Sequence, residues 1–310
     1  QLLTHGYLYY CDCTGEDVQS RKGDRKTPGY DGFCRDRGLT KSPSTGLRFR
    51  TPTDGATTVH DLIRGDVEFS HDVIDDFIVA KSSGAVLFAL ANVVDDRNDA
   101  ITHVIRGEEH LPNTPKQILL WRALNEVSGI FLDVPTYAHL PLLVNEQRKK
   151  LSKRKDPVAT EMYRDEGYLP EAFVNYLALL GWSPRGEHEK VPVAQLIEEF
   201  RLEDVSHSPA FFDVKKLQAI NGEYIREMDS ETFIARSLPW VDPSRGQWRA
   251  STTPPWSNDS FDMDRYVAIA PHVQERIARM NEIVPMIDFL FLPDAPMDDA
   301  AFAKIGRAHV

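Results

Sequence analysis

The β-branched run Ile101-Thr-His-Val-Ile105 passes through a polar cluster, Arg106-Gly-Glu-Glu-His110, into Asn113-Thr-Pro-Lys-Gln117. The first segment reads as a strand. In the last, Asn113 or Thr114 can cap a helix and Pro115 suits its first turn, with Ile118, Trp121 and Arg122 following at helical spacing. Strand, polar turn and helix in that order are the pattern of a parallel sheet, and residues 81–155 keep up the alternation. Ligands of open α/β sheets bind beyond the carboxyl ends of the strands. Arg106 and Glu109 stand at such an end, which makes them candidate binding residues.

The flanking sequence differs in character. Residues 1 to 50 are rich in Gly, Asp, Arg and Lys, with turn signals at Pro28-Gly29 and Asp31-Gly32. Strand-like runs follow at Gly46–Arg50, Asp66–Phe69 and Asp76–Ala80. Beyond residue 155 the pattern is mostly helical. Pro170 can open a helix whose Phe173, Tyr176, Leu177 and Leu180 share a face, and Gly181 can end it. Residues 239–260 read as a linker or loop, and Asp264–Leu292 has a helical period again. There is no internal repeat.

At 310 residues the chain has room for two or more domains. No stretch of 18 uncharged apolar residues exists, so no membrane span is expected. A net charge of −11 argues against a general nucleic-acid coat but leaves room for a local basic patch. One such patch, Arg148 to Lys155, has six cations in eight residues, and by composition alone it reads as a solvated surface loop. The three cysteines, Cys11, Cys13 and Cys34, are odd in number and clustered, which does not suggest a disulfide framework. With no secretory signal at its start, the chain is expected in a reducing compartment, the cytoplasm.

Three segments together resemble bacterial glutamyl-tRNA synthetase, a class I aminoacyl-tRNA synthetase. The first is Ala91-Asn-Val-Val-Asp-Asp96 with Ile101 to Gln117. The second is His139-Leu-Pro-Leu-Leu143 leading to Lys150-Leu-Ser-Lys-Arg154, similar to the family's KMSKS loop. The third is Phe212-Asp-Val-Lys-Lys-Leu217 with Asn221-Gly-Glu-Tyr-Ile-Arg226. A lone KLSKR is weak evidence, but three segments in this order and spacing are specific.

The resemblance implies an α/β fold: the second half of a class I Rossmann catalytic domain with its acceptor-binding insertion, followed by stem-contact and mainly α-helical anticodon-binding segments. The implied boundaries are 1–78 for the insertion, 79–155 for the Rossmann part, 156–226 for stem contact and 227–303 for the start of the anticodon domain. The chain opens on Gln1 rather than Met. The family's N-terminal strand and HIGH-like phosphate-binding motif are therefore expected to precede it, and the piece alone is expected to be inactive. Lys304-Ile-Gly-Arg-Ala-His-Val310 is the translation of AAG ATC GGA AGA GCA CAC GTC, which reads like a sequencing-library adapter, so these residues are expected to be an artefact.

The implied reaction is ATP-dependent ligation of L-glutamate to tRNA(Glu) through glutamyl-adenylate, with Mg2+ accompanying ATP, by a monomer. It depends on positioning and on neutralising charge at the phosphate oxygens. Lys150 and Lys153 match the loop lysines that do so. Arg106 matches the arginine that grips the substrate side-chain carboxylate, which a guanidinium does with two parallel hydrogen bonds. The bland alternative is a structural ion pair of Arg106 with Glu108 or Asp96. Glu109 matches a glutamate near ATP, and Leu143 matches a leucine against adenine. Asn92 matches a glutamate-contacting asparagine, and Phe88 lies on the same helix face where many relatives have a tyrosine. Phenylalanine offers no hydroxyl there.

The cysteine cluster resembles the zinc site of some family members. Cys11, Cys13 and Cys34 would be three of the four ligands zinc wants, with Tyr30 or Asp36 as the fourth. Competing readings are a paralogue that glutamylates a modified base on tRNA(Asp), a non-catalytic tRNA-binding protein, and glutaminyl-tRNA synthetase. The helical sequence after residue 226 argues against the first, the intact KLSKR and Arg106–Glu109 segments against the second, and the character of residues 91–117 against the third.

Overall fold

A computed structural model describes residues 1–21, 29–151, 159–186, 189–245 and 253–292. The chain divides into two units, residues 1–142 with 201–208, and residues 143–200 with 209–310.

In the first unit, short runs with buried apolar positions form the opening strands. β1 (Leu8–Cys11) is followed by α1 (Gly15–Ser20). The Thr14 hydroxyl accepts from the Asp17 N–H while the Asp17 carboxylate accepts from the Thr14 N–H, closing a capping box that starts α1. β2 (Gly46–Phe49) lies antiparallel to β1 with Leu47 opposite Tyr10. β3 (Ala56–Asp61) and β4 (Gly65–Ser70) form an antiparallel hairpin. β5 (Ile78–Ala80), shorter than the run expected from Asp76, completes a β1-β2-β5 sheet.

Next come α2 (Phe88–Asn98), β6 (His103–Gly107), α3 (Thr114–Ser128) and β7 (Thr136–Leu140). The second sheet has the order β4-β3-β7-β6. β7 runs parallel to both β3 and β6, as the alternating pattern predicts, while the β4 hairpin strand makes the sheet mixed. β6 starts two residues later than the Ile101–Ile105 reading. Ala100 takes a left-handed conformation (φ 53°) and the Ile101 N–H donates to Asp96 O at 2.9 Å, so these residues complete the turn after α2. That shift brings Arg106 into the strand, directly opposite His139.

α3 has Pro115 in its first turn, and its chain reverses at Gly129 (φ 68°), a conformation that favours glycine. Asn113 precedes the helix without a side-chain capping bond. Leu119, Leu120, Trp121 and Ala123 pack with Val93 of α2 and Val79 of β5, while Ile118 meets Val59 and Tyr137 of the second sheet.

The second unit begins with β8 (Leu143–Val144) and continues with α4 (Thr160–Asp165), α5 (Pro170–Ala178), α6 (Val193–Glu199), β9 (Ala210–Phe211) and α7 (Val214–Arg226). It closes with α8 (Ser230–Val241), α9 (Met263–Gln274) and α10 (Ile283–Ile287). β8 and β9 pair in parallel, with Leu143 opposite Ala210. Tyr176, Leu217, Phe233, Tyr266 and Ile283 belong to a single core.

α5 opens at Pro170 as expected but stops before Gly181. Its end tightens, with the Leu180 N–H reaching Leu177 O. α8 runs through Pro239 to Val241, and the Trp256 indole N–H donates to Val241 O at 2.9 Å from a buried position. The stretch read as a loop thus supplies core. The helical period from 264 to 292 is broken after Gln274, where the Glu282 carboxylate accepts the Ala278 N–H and pairs with Arg279. Among the described residues no helix is long and apolar enough to cross a membrane. Residues 304–310 lie outside the described residues.

Candidate functional site

The register of β6 on β7 sets Arg106 beside His139 at the carboxyl ends of both strands. Arg106 Nε donates to His139 Nε2 at 3.2 Å. Its Nη2 donates to Thr114 Oγ1 at 2.9 Å and to Gln117 Oε1 at 2.6 Å, both from the start of α3. The Tyr137 ring lies 5.6 Å from the guanidinium carbon. All three hydrogen-bond acceptors are uncharged, and Nη1 has no hydrogen-bond partner among the described residues. Burial is the largest influence on Arg106 and pulls it below its ordinary value, while Tyr137 and Asp96 act the other way. It stays a cation at neutral pH.

The structural ion pair foreseen as the alternative does not form with Glu108. That carboxylate pairs with Arg64 from the β3–β4 turn and accepts the Leu142 N–H at 3.1 Å. Asp96 acts on Arg106 electrostatically without a direct ion pair among the described residues. Its carboxyl is raised by burial, against the opposing effect of Arg106.

Three further predicted residues gather here. Asn92 Oδ1 accepts from Gln117 Nε2 at 2.5 Å, so Gln117 links Asn92 to Arg106. Phe88, one turn earlier on α2, is exposed, with its ring 6.2 Å from that of His110. Glu109 folds its carboxylate over the Cα of Gly107, where a side chain would occupy the same space. Residue-by-residue reading missed the supporting set of His139, Asp61, Thr114 and Gln117. Three of these lie in the segments quoted for the resemblance, and a histidine inside the strand Thr136–Leu140 was the available signal.

Leu143 and Lys150 belong to the second unit. Val144 bridges to Lys150, and the Leu151 N–H donates to Leu143 O at 3.0 Å. The entry to the KLSKR segment therefore lies against β8, turning at Arg148 (φ 56°). Lys153 falls outside the described residues.

The sulfur atoms of Cys11, Cys13 and Cys34 lie within 4.8 Å of one another. The Tyr30 hydroxyl is 3.5 Å from Cys11 Sγ and 3.8 Å from Cys13 Sγ, and it accepts the Cys34 N–H at 2.6 Å. Three soft sulfurs and one phenol oxygen in this arrangement suit a tetrahedral zinc ion. Asp36, the alternative fourth ligand, is turned outward to Arg50. Arginines also reach each sulfur: Arg48 to Cys11 at 3.2 Å, Arg21 to Cys13 at 3.0 Å and Arg37 to Cys34 at 3.2 Å. Burial tends to raise Cys11, but its hydrogen bonds with Tyr30 and Arg48 outweigh that and lower it. Cys13 is pushed up to about 11 by burial and by Cys34.

Comparison with known proteins adds two family matches. Residues 1–219 match the catalytic domain of class I tRNA synthetases (E and Q), and residues 232–308 match an anticodon-binding domain. A glutamate–tRNA ligase of Frankia alni is 56% identical over 304 residues, 98% of this chain and 62% of the relative. One of Thermobifida fusca is 53% identical over 310 residues, 100% of this chain and 62% of the relative. The chain thus spans about 62% of the length of these curated relatives. A crystal structure of a glutamate tRNA ligase from Elizabethkingia meningosepticum, in complex with its amino acid, superposes with a TM-score of 0.74 at 28% identity. It covers 98% of this chain and 64% of that one.

Proposed function

The chain belongs to the class I tRNA synthetases of the E and Q kind, and from that premise we propose that it is part of a glutamate–tRNA ligase. The enzyme would activate L-glutamate with ATP and Mg2+ and load it onto tRNA(Glu), as a cytoplasmic monomer. The observation that carries this reading is Arg106. A half-buried guanidinium whose hydrogen bonds all go to neutral acceptors, with Asp96 acting on it only at a distance, has no carboxylate in contact, and burying a charge is costly unless it is paired. A carboxylate arriving at the open side of Arg106 supplies the missing partner.

In the first step a glutamate α-carboxylate oxygen attacks the α-phosphorus of ATP and pyrophosphate leaves. In the second a terminal ribose hydroxyl of the tRNA attacks the carbonyl carbon of the adenylate and AMP leaves. Arg106 would hold the side-chain carboxylate, with Asn92 and Phe88 beside it. Glu109 and Leu143 would contact ATP, and Lys150 with Lys153 would neutralise charge on the phosphates. Cys11, Cys13, Cys34 and Tyr30 would hold zinc, which would supply structural cross-linking there rather than chemistry.

We assign residues 1–78 to the acceptor-binding insertion, 79–155 to the Rossmann part, 156–226 to stem contact and 227–303 to the anticodon-binding start, with 304–310 as adapter-derived. The anticodon-binding match over residues 232–308 favours this reading over the paralogue acting on tRNA(Asp).

The test is a graft in which this chain replaces the 304 matching residues of the Frankia alni relative. Charging of tRNA(Glu) with labelled glutamate is expected. Glutamylation of tRNA(Asp) instead, or of neither tRNA, would overturn the proposal.

A further inference from the structure

Asp61, His139 and Arg106 run in a line across three neighbouring parallel strands, β3, β7 and β6. Neither Asp61 nor His139 exposes any side-chain surface. Asp61 Oδ1 accepts the N–H groups of Ile63 at 3.0 Å and Arg64 at 2.9 Å, and Oδ2 accepts that of His139 at 3.1 Å. Asp61 Oδ2 also lies 2.6 Å from His139 Nδ1. The other imidazole nitrogen, Nε2, faces Arg106 Nε.

From this geometry we infer that Asp61 and His139 are positioning residues for Arg106: the carboxylate fixes the imidazole proton on Nδ1, so that Nε2 always accepts from the guanidinium and aims it at the incoming carboxylate. This rests on the reading of Arg106 as the carboxylate receptor. The chemistry leaves little choice of protonation state. A carboxylate with three backbone donors is acceptor-only, so the Nδ1 of His139 must carry the proton it shares with Asp61. Arg106 cannot give up its proton, so Nε2 must offer a lone pair. A second proton on His139 would set one N–H against another, cation against cation.

The groups facing His139 from neighbouring elements agree. Arg106 stands on β6 and His110 on the turn before α3, and both disfavour a charged imidazole. The Tyr137 ring stacks at 6.0 Å from the same strand. Only Asp61, from β3, favours the charged form, and burial, the largest influence, outweighs it and keeps His139 below its ordinary value. The Thr114 hydroxyl lies 3.2 Å from Nε2, accepts from Arg106 Nη2 and donates its one proton to His110 O at 3.3 Å, which leaves the Nε2 lone pair to Arg106.

The test starts with the chain itself, labelled with 15N at histidine and arginine. His139 is expected to be neutral with its proton on Nδ1 at neutral pH, and to stay so as the pH falls through 6.5, the ordinary histidine value. A through-hydrogen-bond coupling is expected between Arg106 Nε and His139 Nε2. An imidazolium at neutral pH, or the proton on Nε2, would overturn the inference.

Asp61→Asn presents an amide N–H to Nδ1 and drives the proton to Nε2. The coupling is then expected to vanish, and in the graft the glutamate KM is expected to rise about 10- to 100-fold with the ATP KM unchanged. Should that variant not fold, His139→Gln and His139→Leu decide. Glutamine keeps an acceptor oxygen for Arg106 and leucine does not, so leucine is expected to raise the glutamate KM far more. Equal rises would overturn the inference. An unchanged glutamate KM in Arg106→Ala, with the NMR results as expected, would instead remove the reading of Arg106 and leave the positioning geometry standing.

Discussion

Glu109 and Gly107 share one small space just beyond β6, and only a residue without a side chain at 107 lets the carboxylate lie there. Gly107→Ala would displace the far end of a flexible side chain, which is a cheap adjustment for the fold. The expected outcome is a raised ATP KM with an unchanged melting temperature, read by pyrophosphate exchange and calorimetry in the graft. A large fall in melting temperature with normal ATP binding would show that Glu109 has no part in the nucleotide site. Arg106 and Glu109 stood out in the sequence because they end a strand in a strand–turn–helix pattern, whereas Asn92 and Phe88 were named only through the family resemblance. Asp61 did not stand out. It lies 78 residues before the histidine it holds, and nothing local distinguishes it from other aspartates that cap turns.

Elements were legible where local chemistry decides them. Pro115 and Pro170 open helices as read from sequence. Asp213 ahead of α7, a cap the sequence reading did not name, accepts the N–H groups of Lys215 and Lys216. Asp213→Ala is expected to lower stability by about 1 kcal/mol, the usual cost of losing such a cap, measured by urea unfolding of the chain. No change would mean that α7 is held by its buried Leu217, Ile220 and Ile225 alone. Elements were misread where tertiary contacts decide them. Pro239 stays helical because Val241 is buried and its carbonyl receives Trp256, a partner no local pattern announces.

The cysteine cluster joins β1, the residues after it and the segment at Tyr30–Cys34, and sequence spacing left two candidates for the fourth ligand. Geometry favours Tyr30, since Asp36 faces Arg50. The chain is expected to bind one zinc ion and to lose it in Cys34→Ser. Cobalt substitution should give a tetrahedral spectrum. Elemental analysis finding no metal after zinc-supplemented expression would rule the site out.

For the whole molecule, the alternation of strand and helix foretold parallel pairing, but sheet order depends on which strands meet, and the β4 hairpin strand had no signature that assigned it to that sheet. The buried pair also ties stability to pH. His139 is held below its ordinary value of 6.5, chiefly by burial, so below about that pH the unfolded chain binds a proton that the folded chain does not. Burial would raise Asp61, but its hydrogen bonds from Arg64, His139 and Ile63 outweigh it and hold its carboxyl below 3.8, so its share of stability is present above that value and is lost at lower pH. Stability is therefore expected to decline as pH falls through 6.5, with a shallower decline in His139→Gln; identical pH profiles by calorimetry would exclude His139 as a source.

Arg106 is proposed to receive the substrate's side-chain carboxylate. The most direct test is ATP–pyrophosphate exchange by the graft with Arg106→Ala, titrated separately with glutamate and with ATP. Loss of a partly buried charge partner costs roughly 3 kcal/mol, so the glutamate KM is expected to rise about a hundredfold while the ATP KM stays where it was. A glutamate KM that does not move, or one that rises only in step with that for ATP, would contradict the claim.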